Sequence, residues 1–542
     1  CIFIVLNYDR IMLHPGESTK LEIALGILTT VLVLEATRRT LGIVLPILAI
    51  LSLGYAYFGP YLPGVWAHRG FSTSYIFETL YLSSQGIWGM TTGVSATVVA
   101  AFLIFGAVLY STGGGEIFVE LAQWIAGRSH GGPAKVSCFS SAFFGTISGS
   151  AVANVVVDGV FNIPLMKRLG YKPEFAAAVE ATASTGGQIM PPVMGAGAFI
   201  MAELIGIPYV KIALAAAIPA ILYYIGVTAC VHFEAQRAGL QKIPVELIPS
   251  IRKILPRSAP LFIPVVLLIF LMVKGYNPTL AVFWSIVSAI ILYLIGGRSW
   301  RQFIEKFKNI INSLESGGRS IVLVASLCTC AQIIIGMFNL TGLGIKMSEI
   351  IIGLSAGSLF LALFFSMIIC LILGMGVPTT AAYMIAASVA GPALSSLGIP
   401  QLAAHLFIFY FAIISAITPP VCAATYVAAA IARSNWLKTG YIAVKMGLAG
   451  FIAPFMFVYG PGILLIGSPL TIIERSLSAS IGVIALAAGA MGFLVRKANW
   501  FERLLLILAA FLLIKPGYLT DILGFFTIVG IFLLQKHKGH KE

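Results

Sequence analysis

Charge is what this sequence has least of. Asp, Glu, Lys and Arg make up 10% of its 542 residues, against about 25% in a soluble domain, which excludes a large water-soluble core. From Ile350 to Ala432 there is no Asp, Glu, Lys or Arg, so ligand chemistry there must rest on neutral oxygens. The seven cysteines lack paired spacing. Cys328 and Cys330 stand too close together for zinc-finger ligands and read as packing residues in an apolar run. No G-x-x-x-x-G-K-[ST] loop occurs, so there is no sign of an ATP-driven engine. With no H-E-x-x-H motif, no Cys/His cluster and no Ser/His/Asp set at one place, an enzyme has no support.

Apolar residues, by contrast, make up 59% of the chain, and the mean hydropathy is +0.98. Runs near the ~20 residues needed to cross a bilayer recur along the length, defining an all-α polytopic membrane protein. The net charge of +14 sits mostly in short loops between those runs, which is the positive-inside pattern rather than a nucleic-acid surface. No cleavable signal peptide is visible, and the opening CIFIVL reads as an apolar helix cut short.

Spans are expected at 20–37, 41–58, 94–112, 173–206, 209–233, 259–274, 277–295, 318–341, 401–433, 439–463, 471–495, 500–515 and 517–535. The basic tail KHKGHK (536–541) anchors the C-terminus in the cytoplasm, and the loops at 237–257, 298–308 and 496–503 also carry their Lys and Arg inside. The alternation holds only if 133–166 and 357–396 each enter and leave on one face as re-entrant hairpins, the first from the cytoplasm and the second from outside.

Those two segments carry odd sequences, FGTISGSAVANVVVDG (144–159) and LGMGVPTTAAYMIAAS (373–388). They also align at an offset of 228 or 229. TGGG (112–115) meets TGLG (341–344), and Gly145 meets Gly374. IPLMKRLG (163–170) meets GPALSSLG (391–398), and IMPPVMGA (189–196) meets ITPPVCAA (417–424). Inverted repeats with interrupted helices are the mark of secondary transporters, whose sites lie near the midplane where the repeats meet. Broken backbone at that depth is tolerated only when buried in protein or lining a wet cavity.

Each half therefore offers a hairpin tip and a span broken at Pro-Pro. Proline removes a helix hydrogen bond and frees carbonyls, and glycine opens angles closed to other residues. Carbonyls and hydroxyls suit a dehydrated cation, while half-helix N-termini suit an anionic substrate group. The candidate ion ligands are Ser148, Gly149, Ser150, Gly186, Gly187 and Pro191 in the first half. In the second they are Gly374, Gly376, Thr379, Thr380 and Thr418. Asn154, Ser184, Gln188, Pro192, Pro378 and Pro419 are candidates for the substrate. The competing reading is that small residues merely permit close helix packing, as the G-x-x-x-G of GTISG would.

Asp158 and Glu180 are ionisable groups at membrane depth and so candidates for proton coupling. Alternatively Asp158 pairs with Lys167 or Arg168 at the hairpin mouth, and Glu180 makes a structural pair. Glu203 reads as interfacial and His405 as a packing residue. Residues 300–317 have an amphipathic, basic face and are expected to form an interfacial arm, with 70–92 as an outer counterpart.

GTISGSAVANVVVDGVFNIPLMKRLGY and EATASTGGQIMPPVMGAGAFIMAE resemble the large membrane subunit of tripartite ATP-independent periplasmic (TRAP) transporters. The stretch 34–64 and the helices after 465 resemble the fused permeases of the TAXI subclass, in which small and large membrane subunits share one chain. The resemblance implies an inverted-repeat, elevator-type fold and a bacterial or archaeal inner membrane. It also implies a separate periplasmic substrate-binding protein and uptake of small organic acids with Na⁺, or H⁺ in place of it, and no other cofactor. On that reading 1–110 is the fused small-subunit-like scaffold and 111–235 the first repeat, with its hairpin (133–166) and broken helix (173–206). Residues 236–317 are scaffold helices with the arm, and 318–433 the second repeat, with hairpin 357–396 and broken helix 401–433. Residues 434–542 are C-terminal helices. The rivals are a stand-alone dicarboxylate or anion symporter of related fold, and a membrane scaffold or enzyme without transport.

Overall fold

The computed structural model describes residues 2–14, 16–240, 242–296, 299–515 and 517–539. Arg298 of the 298–308 loop, and His540 and Lys541 of the basic tail, lie outside the described residues. Those described are helical, joined by short connections and without a named strand. Among the described residues, eight helices are long and apolar enough to cross a membrane. They include Tyr209–Ala238, Pro278–Ile295 and Pro469–Met491. Large side chains such as Val266, Phe270, Phe283 and Trp284 stand exposed on the apolar helices, as expected of surface that meets lipid.

The two odd segments are helical hairpins. The first has arms Gly132–Ser148 and Ala151–Arg168; the second has Leu359–Gly374 and Thr379–Ser396. An arm of 16 to 18 residues is about 25 Å long at 1.5 Å per residue, close to the thickness of a bilayer core. At the first tip Gly149 turns the chain with φ 60°. Ser150 then caps the next arm, its Oγ accepting from the Ala153 amide at 3.3 Å. At the second tip Gly376 has φ 72°, and Pro378 presets the start of the returning arm.

Both spans expected at 173–206 and 401–433 are interrupted. The first runs Pro173–Gly187, then Ala196–Ile205; the second runs Gln401–Ile414, then Ala423–Ala432. Corresponding elements begin 227 or 228 residues apart: 132 and 359, 151 and 379, 173 and 401, 196 and 423. The correspondence extends beyond the sequence matches, since Gly115–Ala126 answers Leu343–Ser355, and the helix from Tyr209 answers that from Trp436. Just before each second half-helix stands a non-glycine residue with positive φ, Met194 (60°) and Cys422 (31°).

The repeats interlock. Ala196–Ile205 packs on the second hairpin's returning arm and on Gln401–Ile414, while Ala423–Ala432 packs on the first hairpin's second arm and on Pro173–Gly187. Gly197 sits against the Phe409 ring, where a Cβ would come within 2.8 Å of it.

Three expectations need correction. The arm 300–317 and the span 318–341 form one helix, Trp300–Thr341, because no proline separates them. The span expected at 259–274 is found as Ala259–Val273, but a further helix, Ile251–Arg257, precedes it across a 62° bend, where Pro256 disrupts the ladder. Within 70–92 only Thr73–Leu82 and the start of the next helix at Met90 are helical, so it is no counterpart to the long arm.

Candidate functional site

The hairpin tips and Pro-Pro turns, Met375–Thr380, Ser148–Ser150, Pro191, Pro192, Thr418 and Pro419, are all partly exposed. The half-helices Pro173–Gly187 and Gln401–Ile414 behind them are buried almost throughout, so exposure is concentrated where the backbone is soft. Gln188 joins three of the four breaks. Its Nε2 donates to the Gly149 carbonyl at the first tip (3.3 Å), and its Oε1 accepts from Thr379 Oγ1 at the second (3.0 Å). Gln188 itself belongs to the first broken span.

Each hairpin touches its own broken span at backbone range. A Cβ on Gly145 would overlap the Gly187 backbone. In the second repeat Gly374 lies against Ser415, whose Oγ donates to the Gly374 carbonyl at 3.1 Å. Gly149 in turn rests on Gly195, so that a Cβ added to Gly149 would stand only 2.6 Å from the Gly195 Cα.

The break carbonyls are less free than the sequence suggests. The amides of Gln188, Ile189 and Met190 donate to Thr185, Gly186 and Gly187, at 3.1–3.2 Å. Thr418 and Ile417 amides do the same to Ser415 and Ile414. Tight i→i+3 turns thus carry each helix to its Pro-Pro and take up one lone pair on each of these oxygens. Gly186 is packed under the Tyr223 ring, which marks it as a close-approach residue. Thr418 Oγ1 donates back to the Ile414 carbonyl (2.9 Å). Ser148 Oγ is buried without a partner.

Ser184 departs most from expectation. It donates to Glu180 Oε1 at 3.0 Å and so belongs to a buried polar cluster rather than to the tips. That cluster holds both carboxylates. Glu180 also accepts from Ser137 (2.7 Å), Ser141 (3.2 Å) and Asn162 (3.3 Å). Asp158 Oδ2 accepts from Ser140 (2.6 Å) and Ser141 (3.0 Å). Asn154 donates to the Ser141 carbonyl at 3.0 Å. The pairing of Asp158 with Lys167 is not found, because Lys167 donates to the Ala432 carbonyl (2.8 Å). His405 bonds Tyr383 (Oη to Nδ1, 2.8 Å), and Glu203 is exposed.

Two sets of residues escaped the sequence reading. Ser137, Ser140, Ser141 and Asn162 complete the acid cluster; the i, i+3, i+4 spacing of the serines in VSCFSS was the available signal. The second set lies on the long helix, where Asn309, Asn312, Ser313, Ser316 and Ser320 form a polar stripe. That stripe lines a cavity of about 760 Å³ whose other wall includes Ser148, Asn154, Ser111, Thr112 and Glu116. The basic amphipathicity of 300–317 had drawn attention to its other face.

Paired hairpins, paired broken spans and a polar cavity leading to one tip define a membrane transport protein rather than an enzyme. Residues 28–472 match the tripartite ATP-independent periplasmic transporter family, DctM component, and the chain belongs to that family of large permease subunits. Residues 473–524 match a domain of unknown function, DUF3394. Among similar proteins is the C4-dicarboxylate TRAP transporter large permease DctM of Pseudomonas aeruginosa, 25% identical over 61% of this chain and 76% of that one. Another is the 2,3-diketo-L-gulonate TRAP transporter large permease YiaN of Escherichia coli, 21% identical over 67% and 84%. The uncharacterized protein YgiK of Salmonella typhimurium is 26% identical over 69% and 85%.

Proposed function

We infer that the chain is a cation-coupled secondary importer of small organic acids, receiving its substrate from a separate periplasmic binding protein of TAXI type. It would sit in the bacterial or archaeal inner membrane with its C-terminus in the cytoplasm. The observation that carries this reading is the Gln188 bridge, which brings both half-exposed tips to one place. Oxygens of Ser148, Gly149, Ser150, Gly186, Gly187 and the Pro191 turn form one ion site; those of Gly374, Gly376, Thr379, Thr380 and Thr418 form its counterpart. Asn154, Gln188 and the turns at Pro192, Pro378 and Pro419 contact the acid, whose carboxylate faces the half-helix N-termini. The cavity beside Ser148 and Asn154 is the path to the cytoplasm.

The two hairpins and two broken spans form the moving body of an elevator. Residues 1–110 serve as a fused small-subunit scaffold, 236–317 as further scaffold and 434–542 as added C-terminal helices. The relatives named for a C4-dicarboxylate and for 2,3-diketo-L-gulonate support the substrate class.

The test is uptake of labelled carboxylates into proteoliposomes under imposed Na⁺ or H⁺ gradients, with and without the binding protein. Uptake only with the protein present supports the reading. Equal uptake without it makes the chain a stand-alone symporter, and none in any condition rejects transport.

A further inference from the structure

The cluster around Asp158 and Glu180 has an uneven hydrogen-bond account. Every donor in it is aimed at a carboxylate or a neighbouring oxygen. What is left over is acceptors only. Asn154 Oδ1, Asp158 Oδ1 and Asn162 Oδ1 are buried without a partner, on residues no more than 1% exposed. They stand at i, i+4 and i+8, along one face of the hairpin's second arm. An orphaned buried acceptor is costly, so three on one stripe mark the place of a missing donor or cation.

No neighbouring basic side chain fills it. On the first arm Lys135 is bonded to His232 (3.2 Å), and Cys138 is buried as a free thiol. On the second arm Lys167 serves the Ala432 carbonyl, and Arg168 lies beyond it at the arm's end. On Gly115–Ala126, Glu116 and Glu120 meet Arg257. Pro173–Gly187 adds only Glu174, in its first turn, and Ala423–Ala432 carries no charge. Behind Pro173–Gly187, Tyr223 and Tyr224 donate to the carbonyls of Thr182 and Ala183, and Trp436–Met446 carries Lys438 and Lys445.

One proton eases the account. Placed on Asp158 Oδ1, it turns that orphaned acceptor into a donor for one of the two orphaned amide oxygens, Asn154 Oδ1 or Asn162 Oδ1, that stand a turn away on either side, and leaves a single acceptor over. Glu180, holding Ser137, Asn162 and Ser184 as donors and sharing the Ser141 hydroxyl with Asp158, stays the charged partner. Two carboxylates in one buried network do not both ionise without a counter-charge. Ser141 Oγ, 3.0 Å from Asp158 Oδ2 and 3.2 Å from Glu180 Oε1, is placed to pass the proton between them. Asn154, a turn from Asp158, lines the polar cavity. In the second repeat the positions 228 residues on are Ala386 and Ile408, so the site exists once.

We propose that Asp158 and Glu180 share one exchangeable proton, loaded and released through the cavity beside Asn154, and that this proton travels with the organic acid. The coupling part rests on the transport reading above; the existence of the site does not. Infrared difference spectroscopy of the full chain in nanodiscs tests the site without substrate. The expected result is a protonated-carboxyl stretch at neutral pH that is lost in Asp158→Asn and kept in Ser141→Ala. Absence of that band in the unsubstituted protein, or its persistence in both Asp158→Asn and Glu180→Gln, overturns the proposal. So does a carboxylate band that shifts with Na⁺ instead.

Coupling is read in proteoliposomes loaded with a pH dye and supplied with the binding protein, using succinate, malate and 2-oxoglutarate as probes. Uptake should acidify the lumen, Asp158→Asn should lose that signal, and Ser141→Ala should slow it. Uptake with no pH change overturns the coupling. If none of the probes enters while the infrared band is present, the transport reading fails and the proton site stands.

Discussion

The two repeats solve the same crossing differently. In the first, Gly145 and Gly187 meet backbone to backbone. In the second, Gly374 meets Ser415, and a hydroxyl at 3.1 Å replaces bare contact. The first repeat also buries two carboxylates, four serines and two asparagines. At the matching depth the second offers Ala386, Ala390, Ile408 and Ala412, with one Tyr383–His405 bond as its nearest polar pair. A shared backbone plan therefore does not require shared chemistry. The fold needs close approach at two places, and either glycine on both sides or a small hydroxyl on one meets that need.

The strongest way to break this comparison is to add one methyl group on each side. Gly145→Ala drives a Cβ into the Gly187 backbone, which cannot rotate away, and overpacking of that kind costs about 1–3 kcal/mol or more. Gly374→Ala meets the Ser415 side chain: the hydroxyl can turn aside with loss of about 1 kcal/mol of hydrogen bond, but the Ser415 Cβ, 2.8 Å from the added carbon, moves only with its backbone. Thermal unfolding should show a drop for both, larger for Gly145→Ala, whose added carbon meets backbone alone. Equal drops would mean that the two crossings are equally rigid.

Next in size comes the bridge. Gln188→Ala removes both tip contacts, whereas Thr379→Val removes only one. The loss of uptake should be severe for Gln188→Ala and partial for Thr379→Val, with little change in melting for either. If Thr379→Val alone matches Gln188→Ala, the bond to Gly149 contributes nothing to holding the tips.

Hairpins and breaks were legible because glycine, proline and charge leave strong marks on an apolar background. Loop charges required two re-entrant segments, and both fall where the structure has them. The repeat was visible through Pro-Pro and Leu-Gly punctuation, and its element boundaries follow at almost one offset. Side-chain partners were not legible. Gln188 could be named as a site residue, but nothing in the sequence says that it reaches across to Thr379, 191 positions away. Nor was the direction of Ser184 legible, because a residue beside a break can turn either toward it or back along its own helix, and here it bonds Glu180 one turn earlier. The continuity of Trp300–Thr341 was lost because amphipathic and apolar halves look like two elements when only composition changes.

A weaker test uses the second repeat's polar pair. His405→Leu leaves the Tyr383 hydroxyl unpaired in a buried place, at a cost of about 1–3 kcal/mol, and should lower the melting temperature modestly. It should leave the pH dependence of uptake as it was, since the proposed proton site lies wholly in the first repeat. A changed pH profile would show that both repeats contribute titratable groups and would remove the asymmetry drawn above.

The smallest expected effect comes from making the repeats alike. Ser415→Gly gives the second crossing the glycine pair of the first. It removes one buried hydrogen bond, worth about 0.5–1.5 kcal/mol, and adds about 0.5–1 kcal/mol of backbone entropy cost at a helix end. The Gly374 carbonyl, left with the Val377 amide as donor, can turn the vacated lone pair to solvent or an ion, because the tip around it is partly exposed. A small drop in melting with uptake retained is therefore expected. Loss of uptake without loss of stability would instead make the Ser415 hydroxyl part of the cation's coordination, and the serine would then distinguish the second ion site from the first.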